Sequence, residues 1–342
     1  MPTISISDAT EFMESSLHDI GVPADNATQI AEVILDGELR GHPDHGLFFF
    51  LDLINWHTRD TAYPKMNVNP STKIVLDTSL ITTIDGDGAC GVLPMNEAVE
   101  HSIIKAKNHG MAAANVVNTA NLIALAPFAQ RLVEEDLIAF VCSGFQFPFV
   151  PPTGGLTGKF GTNPLAYAAP AGKHLPFLLD MSTSAIAGAK VIEAGRNGET
   201  IPEGLVEHPD GTPLTDAADF KIGSSMVLPM AGVKGYGLAM MVDIFANIIG
   251  DNQWGHFIWL LDPAQFQPIE KFKANMDLEI VRIKSGDKKS DVDEIYYAGE
   301  RGQKRMAELR SSGLLPLESA AWKNMQIVSE EHGVDMPTPI GT

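Results

Sequence analysis

Apolar residues recur along this chain with two periods, and the change from one to the other divides it. From Ser7 to about Asp19, and again through Ala27, Ile30, Val33, Ile34 and Gly37, the spacing is helical. Ser7-Asp8 is the expected cap of the first helix, Gly21-Val22-Pro23 its stop, and Asp25 or Asn26 the cap of the second. The apolar run 47–57 predicts a third, short helix. Residues 73–77 and 79–84 then read as strands around a turn. A helix over 95–108, a strand over 111–117, a helix over 128–135 and a strand over 137–142 follow.

Residues 148–172 are dense in Pro and Gly, and a loop this long in a compact protein is usually functional; Phe160, Leu165 and Tyr167 argue that it is ordered. A strand over 176–179 runs into Asp180-Met181-Ser182-Thr183-Ser184, with a helix expected from Ala185. Residues 199–219 are polar and turn-rich. Residues 236–249 read as a buried core helix, too short for a membrane span and carrying Asp243 and Asn247. A strand over 277–283 and helices near 302–311 and 317–332 complete the pattern. The expected division is a helical lobe over 1–70, a mixed α/β region over 71–300, and C-terminal helices over 301–342 packed on the helical lobe.

A chain of 342 residues can bury a large core. Its net charge of −19 argues against nucleic acid and anionic membranes and is most simply a solubility feature. Cys90 and Cys142, both in apolar surroundings, suit reduced thiols of a cytoplasmic protein. The first residues carry neither a basic segment nor an apolar block, so no secretory signal is expected there.

The stretch Arg40-Gly41-His42-Pro43-Asp44-His45-Gly46 sets two imidazoles and a carboxylate against the apolar run that follows. Polar groups at such a boundary need partners, and an imidazole there can carry a proton near neutral pH. His45 is therefore either a proton carrier or a helix-capping, core-bonded residue. Gly86-Asp87-Gly88-Ala89-Cys90-Gly91 is a literal GxGxxG in a βαβ context. Asp85 and Asp87 would face the pyrophosphate, and no acidic residue ends the second strand, so a tight Asp-Gly turn competes with a Rossmann loop. The hydroxyls at 182–184 make either a phosphate seat or a plain cap. Lys234, between Gly232 and Gly235 at a helix start, either meets an anion or snorkels. His42, Asp44 and His45 as zinc ligands would make a metal-dependent hydrolase, yet three donors within four residues around a proline converge poorly. No metal is expected.

Five segments, in order, resemble the type-2 malate/L-lactate dehydrogenase family, which includes ureidoglycolate dehydrogenase, diketogulonate reductase and sulfolactate dehydrogenase. They are Leu39-Arg40-Gly41 with His45-Gly46, Asp85-Gly86-Asp87-Gly88, Phe160-Gly161-Thr162-Asn163-Pro164, Asp180-Met181-Ser182-Thr183-Ser184 and Lys234-Gly235-Tyr236-Gly237. The resemblance implies a non-Rossmann, mixed α/β dinucleotide-binding domain beside a helical lobe, in a homodimer. It implies hydride transfer between NAD or NADP and a 2-hydroxy/2-keto acid or related carbonyl or imine, with His45 as proton donor and acceptor. It assigns dinucleotide contacts to Leu178, Asp180, Met181, Ser182, Thr183, Ser184, Lys234, Gly235, Gly299 and Glu300. It has Gly161, Thr162 and Asn163 lining the site, where we also expect Arg40, Phe49 and Asn121.

The chain departs from that pattern at several positions. Asp44 precedes the histidine where the family has serine. Phe48-Phe49-Phe50 stand where many members carry a carboxylate-clamping arginine, and Asn118-Thr119-Ala120-Asn121-Leu122-Ile123 lacks the family's histidine and glycine. Ala298-Gly299-Glu300 replaces Pro-Gly-Glu. An anion beside the catalytic histidine without an arginine fork either predicts a substrate less anionic than malate or lactate, or serves to raise the His45 pKa and keep it protonated for reduction. The same departures leave open a family member that has lost the reaction and binds ligands or catalyses other chemistry.

Overall fold

The computed structural model describes residues 2–59 and 65–340. The ends of the 1–70 and 301–342 regions, and 60–64 within the first, lie outside the described residues. The chain opens with β1 (Thr3–Ser5), α1 (Ile6–Asp19) and α2 (Ala24–Arg40), then a 3-10 turn (Pro43–His45) and α3 (Leu47–Thr58). The α1 cap is Ser5, whose hydroxyl accepts from the Asp8 N–H at 2.9 Å, and Pro23 takes the cap position of α2. Both helices thus begin earlier than the Asp and Asn signals suggest.

Next come β2 (Lys73–Asp77), β3 (Ile81–Ala89), α4 (Val92–His109), β4 (Met111–Thr119), α5 (Ala126–Glu134), β5 (Ile138–Phe145), β6 (Leu165–Ala169) and β7 (Phe177–Met181). They are followed by α6 (Gly188–Asn197), β8 (Val206–Glu207), β9 (Met226–Val227), α7 (Val233–Asp243) and β10 (Trp254–Leu261). The chain closes with α8 (Ile269–Lys284), α9 (Glu300–Ser312), β11 (Leu314–Pro316) and α10 (Ser319–His332). Seven strands form one sheet in the order β2-β3-β4-β10-β5-β6-β7. Only β3 and β4 pair in parallel, through the α4 crossover. This is a mixed, non-Rossmann sheet, as the family resemblance implies.

Three elements differ from the sequence expectation. The 277–283 segment lies within α8, although Leu278-Glu279-Ile280 alternates like a strand; only Ile280 of that helix is fully buried. The central strand β10 is a nearly continuous apolar run, Trp254–Leu261, whose lack of alternation hides it from a period-two reading. The glycine-rich run at 86–91 is neither a phosphate loop nor a simple turn. β3 continues through it with a register shift between Asp85 and Ala89, and Asp87 adopts φ 54°. Asp87 Oδ2 accepts from the Asn67 amide and the Ser71 N–H, so the aspartates anchor neighbouring chain. Within the Pro/Gly-rich segment, β6 is also ordered.

The main core joins α1–α4 and α10 to one face of the sheet, so the helical lobe and the sheet are continuous inside. α10 packs on α3, α9 on α2, and β1 pairs with β11. A second core, including Phe149, Val150, Val191, Val206 and Leu214, builds a small lobe that carries α6. On the other sheet face, α7 and the π-helical turn Ile244–Ile248 bury Ala239, Val242 and Ala246 but expose Met240, Ile244, Ile248 and Ile249. This segment is therefore not a fully buried core helix: one of its faces meets solvent. Among the described residues no helix is long and apolar enough to cross a membrane.

Candidate active site

α2 ends at Gly41, which takes the left-handed conformation (φ 84°) and turns the chain into the Pro43–His45 turn. That turn lies against α2 itself. A Cβ on Gly37 would stand 2.6 Å from the His45 carbonyl oxygen, and one on Gly46 would stand 2.3 Å from Glu38 Oε2. Glu38 in turn accepts the Leu47 N–H at 2.9 Å and so holds the start of α3. Burial pushes the Glu38 carboxyl up to about 7, with the Leu47 hydrogen bond opposing. Arg40 is buried and tied by a two-pronged contact to Asp36 (2.5 and 3.1 Å) one turn earlier. The backbone of this turn is thus fixed from below by two glycines and from the side by a carboxylate.

At the surface of the turn, His45 Nδ1 lies 3.4 Å from Asp44 Oδ2. The Asp44 side chain is 4% exposed and that of His45 43%, so the carboxylate is hidden and the imidazole faces the cleft. Burial works to lower the His45 pKa, but Asp44, helped by Asp180, outweighs it and leaves the imidazole above its ordinary value. Asp44 experiences the converse: burial raises its pKa, and His45 brings it below the usual carboxylate range. His42 is lowered, chiefly by burial. An imidazole whose charged form is favoured by a fixed carboxylate is equipped to donate a proton.

The cleft is a cavity of 1050 Å³, at the upper end of small-molecule sites. It brings Arg40, His42, Asp44 and His45 together with Thr162, the β7 end from Leu178 to Ser182, and Ala298–Gly299. Asp180 Oδ2 accepts the Ala126 N–H at 2.8 Å at the start of α5, and burial raises its pKa against the opposing pull of His45. Gly299 is required where it stands: at φ 84°, its Cβ would meet the Leu178 carbonyl oxygen at 2.5 Å.

Other expected site residues stand behind this wall. Thr183 donates to the carbonyls of Thr162 and Asn163, and Ser184 to that of Ile186. The Asn163 side chain accepts from the Phe145 N–H and donates to the Ala239 carbonyl. Gly161 packs on the Phe145 carbonyl. Gly235 packs α7 against Thr183 and Met230, while its neighbour Lys234 is exposed outside the cavity. Glu300 is buried in ion pairs with Lys284 (2.6 Å) and Lys304 (2.8 Å). Phe49 packs edge-on against Trp56. Asn121 Oδ1 accepts the Ile123 N–H at 2.5 Å, closing a turn in which Ile123 holds φ 71°.

The cavity also contains residues that sequence reading missed: Lys190 on α6 and Arg301 and Arg305 on α9. No local motif marks them, since each comes from an element remote in sequence from His45. Among the described residues, no three His, Cys, Asp or Glu side chains are grouped so as to hold a metal ion. Cys90 and Cys142 are free and buried, which pushes Cys90 up to about 12 and Cys142 also upward.

Residues 4–326 match the family model for malate/L-lactate dehydrogenase. The chain is 29% identical to a malate dehydrogenase of Pyrococcus horikoshii, over 95% of this chain and 94% of that one. It is 32% identical to an L-sulfolactate dehydrogenase of Methanocaldococcus jannaschii, over 79% of this chain and 81% of that one. The solved Pyrococcus horikoshii malate dehydrogenase structure superposes with a TM-score of 0.85 at 26% identity, covering 98% of this chain and 96% of that one. The chain belongs to the malate/L-lactate dehydrogenase family and is an oxidoreductase acting on a CH–OH group.

Proposed function

We propose that this protein is an NAD- or NADP-dependent dehydrogenase of small 2-hydroxy acids, or of the corresponding 2-oxo acids and imines in reverse, with His45 carrying the proton. The observation that carries the reading is the His45–Asp44 pair, which opens into the same cavity as the β7 end and the Ala298–Gly299 turn.

The residues present fit a dinucleotide. The cavity is large, Gly299 lets α9 approach the β7 backbone closely, and Arg301 and Arg305 offer positive charge for phosphates. Leu178, Asp180, Met181, Ser182, Ala298 and Gly299 would form the wall that holds it. Thr183, Ser184, Gly235 and Glu300 would act from behind that wall by fixing its backbone, while Lys234 stands exposed outside the cavity. When bound, the nicotinamide donates or accepts the hydride.

This chain's own residues handle the proton. Reduction leaves negative charge on the substrate oxygen or nitrogen, and the His45 imidazolium neutralises it by donating a proton. In oxidation, neutral His45 accepts the proton from the hydroxyl. Asp44 raises the share of His45 that carries a proton, the form that reduction needs. Gly37 and Gly46 fix the position from which His45 acts.

The working form in this reading is a homodimer, because Ile244, Ile248 and Ile249 present an apolar face that a second copy would cover. A cytoplasmic location accords with two free, buried thiols. The test is titration of purified protein with NADH and NADPH by fluorescence, followed by a panel of 2-oxo acids, cyclic imines and aldehydes. Binding of one dinucleotide with turnover of an acid or imine is expected. Absence of binding by both overturns the reading.

A further inference from the structure

α6, carried by the small lobe, reaches the site at Lys190. Its Arg196 guanidinium lies 5.3 Å from the centre of the Phe48 ring, on the helix that follows His45. Phe48 belongs to the Phe48-Phe49-Phe50 run that stands where many family members carry a substrate-clamping arginine, and it is buried. Six residues earlier on α6, about 9 Å along the axis, Lys190 enters the cavity that also holds His42, Asp44 and His45.

The cavity cations differ in how they are engaged. Arg40 is bound to Asp36, Arg301 lies 4.8 Å from the centre of the Tyr296 ring, and Arg305 packs beneath Gly41 with its Nε enclosed. Lys190 is exposed to the cleft and, among the described residues, its side chain has neither a hydrogen bond nor an ion pair within 4 Å. It is near enough to the turn that its charge acts on His42, Asp44 and His45.

We propose that Lys190 is a specificity-determining residue that binds the substrate's carboxylate, delivering from α6 the positive charge that α3 lacks. An ammonium on a flexible stem can meet a carboxylate from α6 while the carbonyl stays beside His45. The cavity therefore suits 2-oxo acids despite the three phenylalanines, contrary to the less anionic substrate that the sequence suggests. Within the proposed dehydrogenase reaction, on which this inference rests, it separates acid substrates from neutral carbonyls.

The experiment compares wild type, Lys190→Met and Lys190→Arg. NADH affinity is measured by fluorescence, and oxamate, a 2-oxo acid mimic, is titrated into the NADH-loaded protein by calorimetry. The expected result is oxamate binding weakened about 10- to 100-fold in Lys190→Met, partly restored in Lys190→Arg, with NADH affinity within about twofold of wild type. The KM for 2-oxo acids should rise more than the KM for a ketone lacking the carboxylate. Unchanged oxamate affinity, or a loss confined to NADH, overturns the inference while leaving the dehydrogenase reading intact. A wild-type protein that binds no dinucleotide overturns that reading and the inference with it.

Discussion

Gly37 and His45 are in backbone contact: a side-chain carbon on Gly37 would lie 2.6 Å from the His45 carbonyl oxygen and 2.9 Å from its carbonyl carbon. The residue proposed to carry the proton is thus seated on the helix that precedes it. Gly37→Ala must push the turn outward. A loss of about 1–3 kcal/mol in stability is expected from overpacking, together with at least about a tenfold fall in kcat from misplacement of the imidazole. Thermal melting and steady-state rates check both, and wild-type values for the two would contradict this packing.

Glu38 makes stability depend on pH in a direction opposite to that of most carboxylates. Its carboxyl titrates near 4.5 unfolded and at about 7 folded. Between those values the folded state retains a proton that the unfolded state has released, so stability falls as pH rises through this window and levels off above it. The loss attributable to Glu38 is about 3 kcal/mol. Glu38→Gln, which retains an oxygen to accept the Leu47 N–H, should remove that part of the slope. Urea midpoints at pH 5 and pH 8 measure it, and equal slopes in the two proteins would exclude the assignment.

Asp44 sets the protonation of His45. In Asp44→Asn the burial that lowers the imidazole pKa is no longer outweighed by the neighbouring carboxylate. The alkaline limb of kcat/KM for reduction should move to lower pH, since reduction needs the charged imidazole. A pH profile superimposable on that of wild type would separate Asp44 from the proton transfer.

How much of this was legible in the sequence depended on distance along the chain. The His42–His45 turn, the 180–184 junction and the helical lobe are local patterns, and each lies close to where its own residues put it. β10 was missed because a strand buried on both faces does not alternate, and α8 was misread because Leu278 and Ile280 do. Lys190 and Arg305 reach the cavity only through the docking of α6 and α9, which no spacing encodes. Thr183, Ser184 and Asn163 belong to a motif whose role in the fold is largely to hold backbone in place.

Ile123 shows the cost of one departure from the family pattern. A β-branched residue at φ 71° is strained, and the Asn121 side chain offsets part of this by accepting its N–H. Ile123→Gly removes the strain at the expense of some buried apolar contact. Because Ile123 is buried in the main core, the lost packing of about 2–5 kcal/mol outweighs the strain of about 1–3 kcal/mol; a net loss is expected from the urea midpoint, and a net gain would show that strain dominates there.

The exposed face of α7 and the π-helical turn predicts the assembly state. Ile244→Glu combined with Ile248→Glu places two charges on that face. Light scattering should change from a dimer mass in wild type to a monomer mass in the variant. An unchanged dimer would put the interface elsewhere.

The most direct test of the central claim is the single-turnover rate of cofactor oxidation by His45→Asn, measured beside its dinucleotide affinity. If His45 donates the proton, the rate falls by about 10²- to 10⁴-fold while affinity stays within about twofold of wild type. A rate within a few-fold of wild type would show that the proton comes from another group.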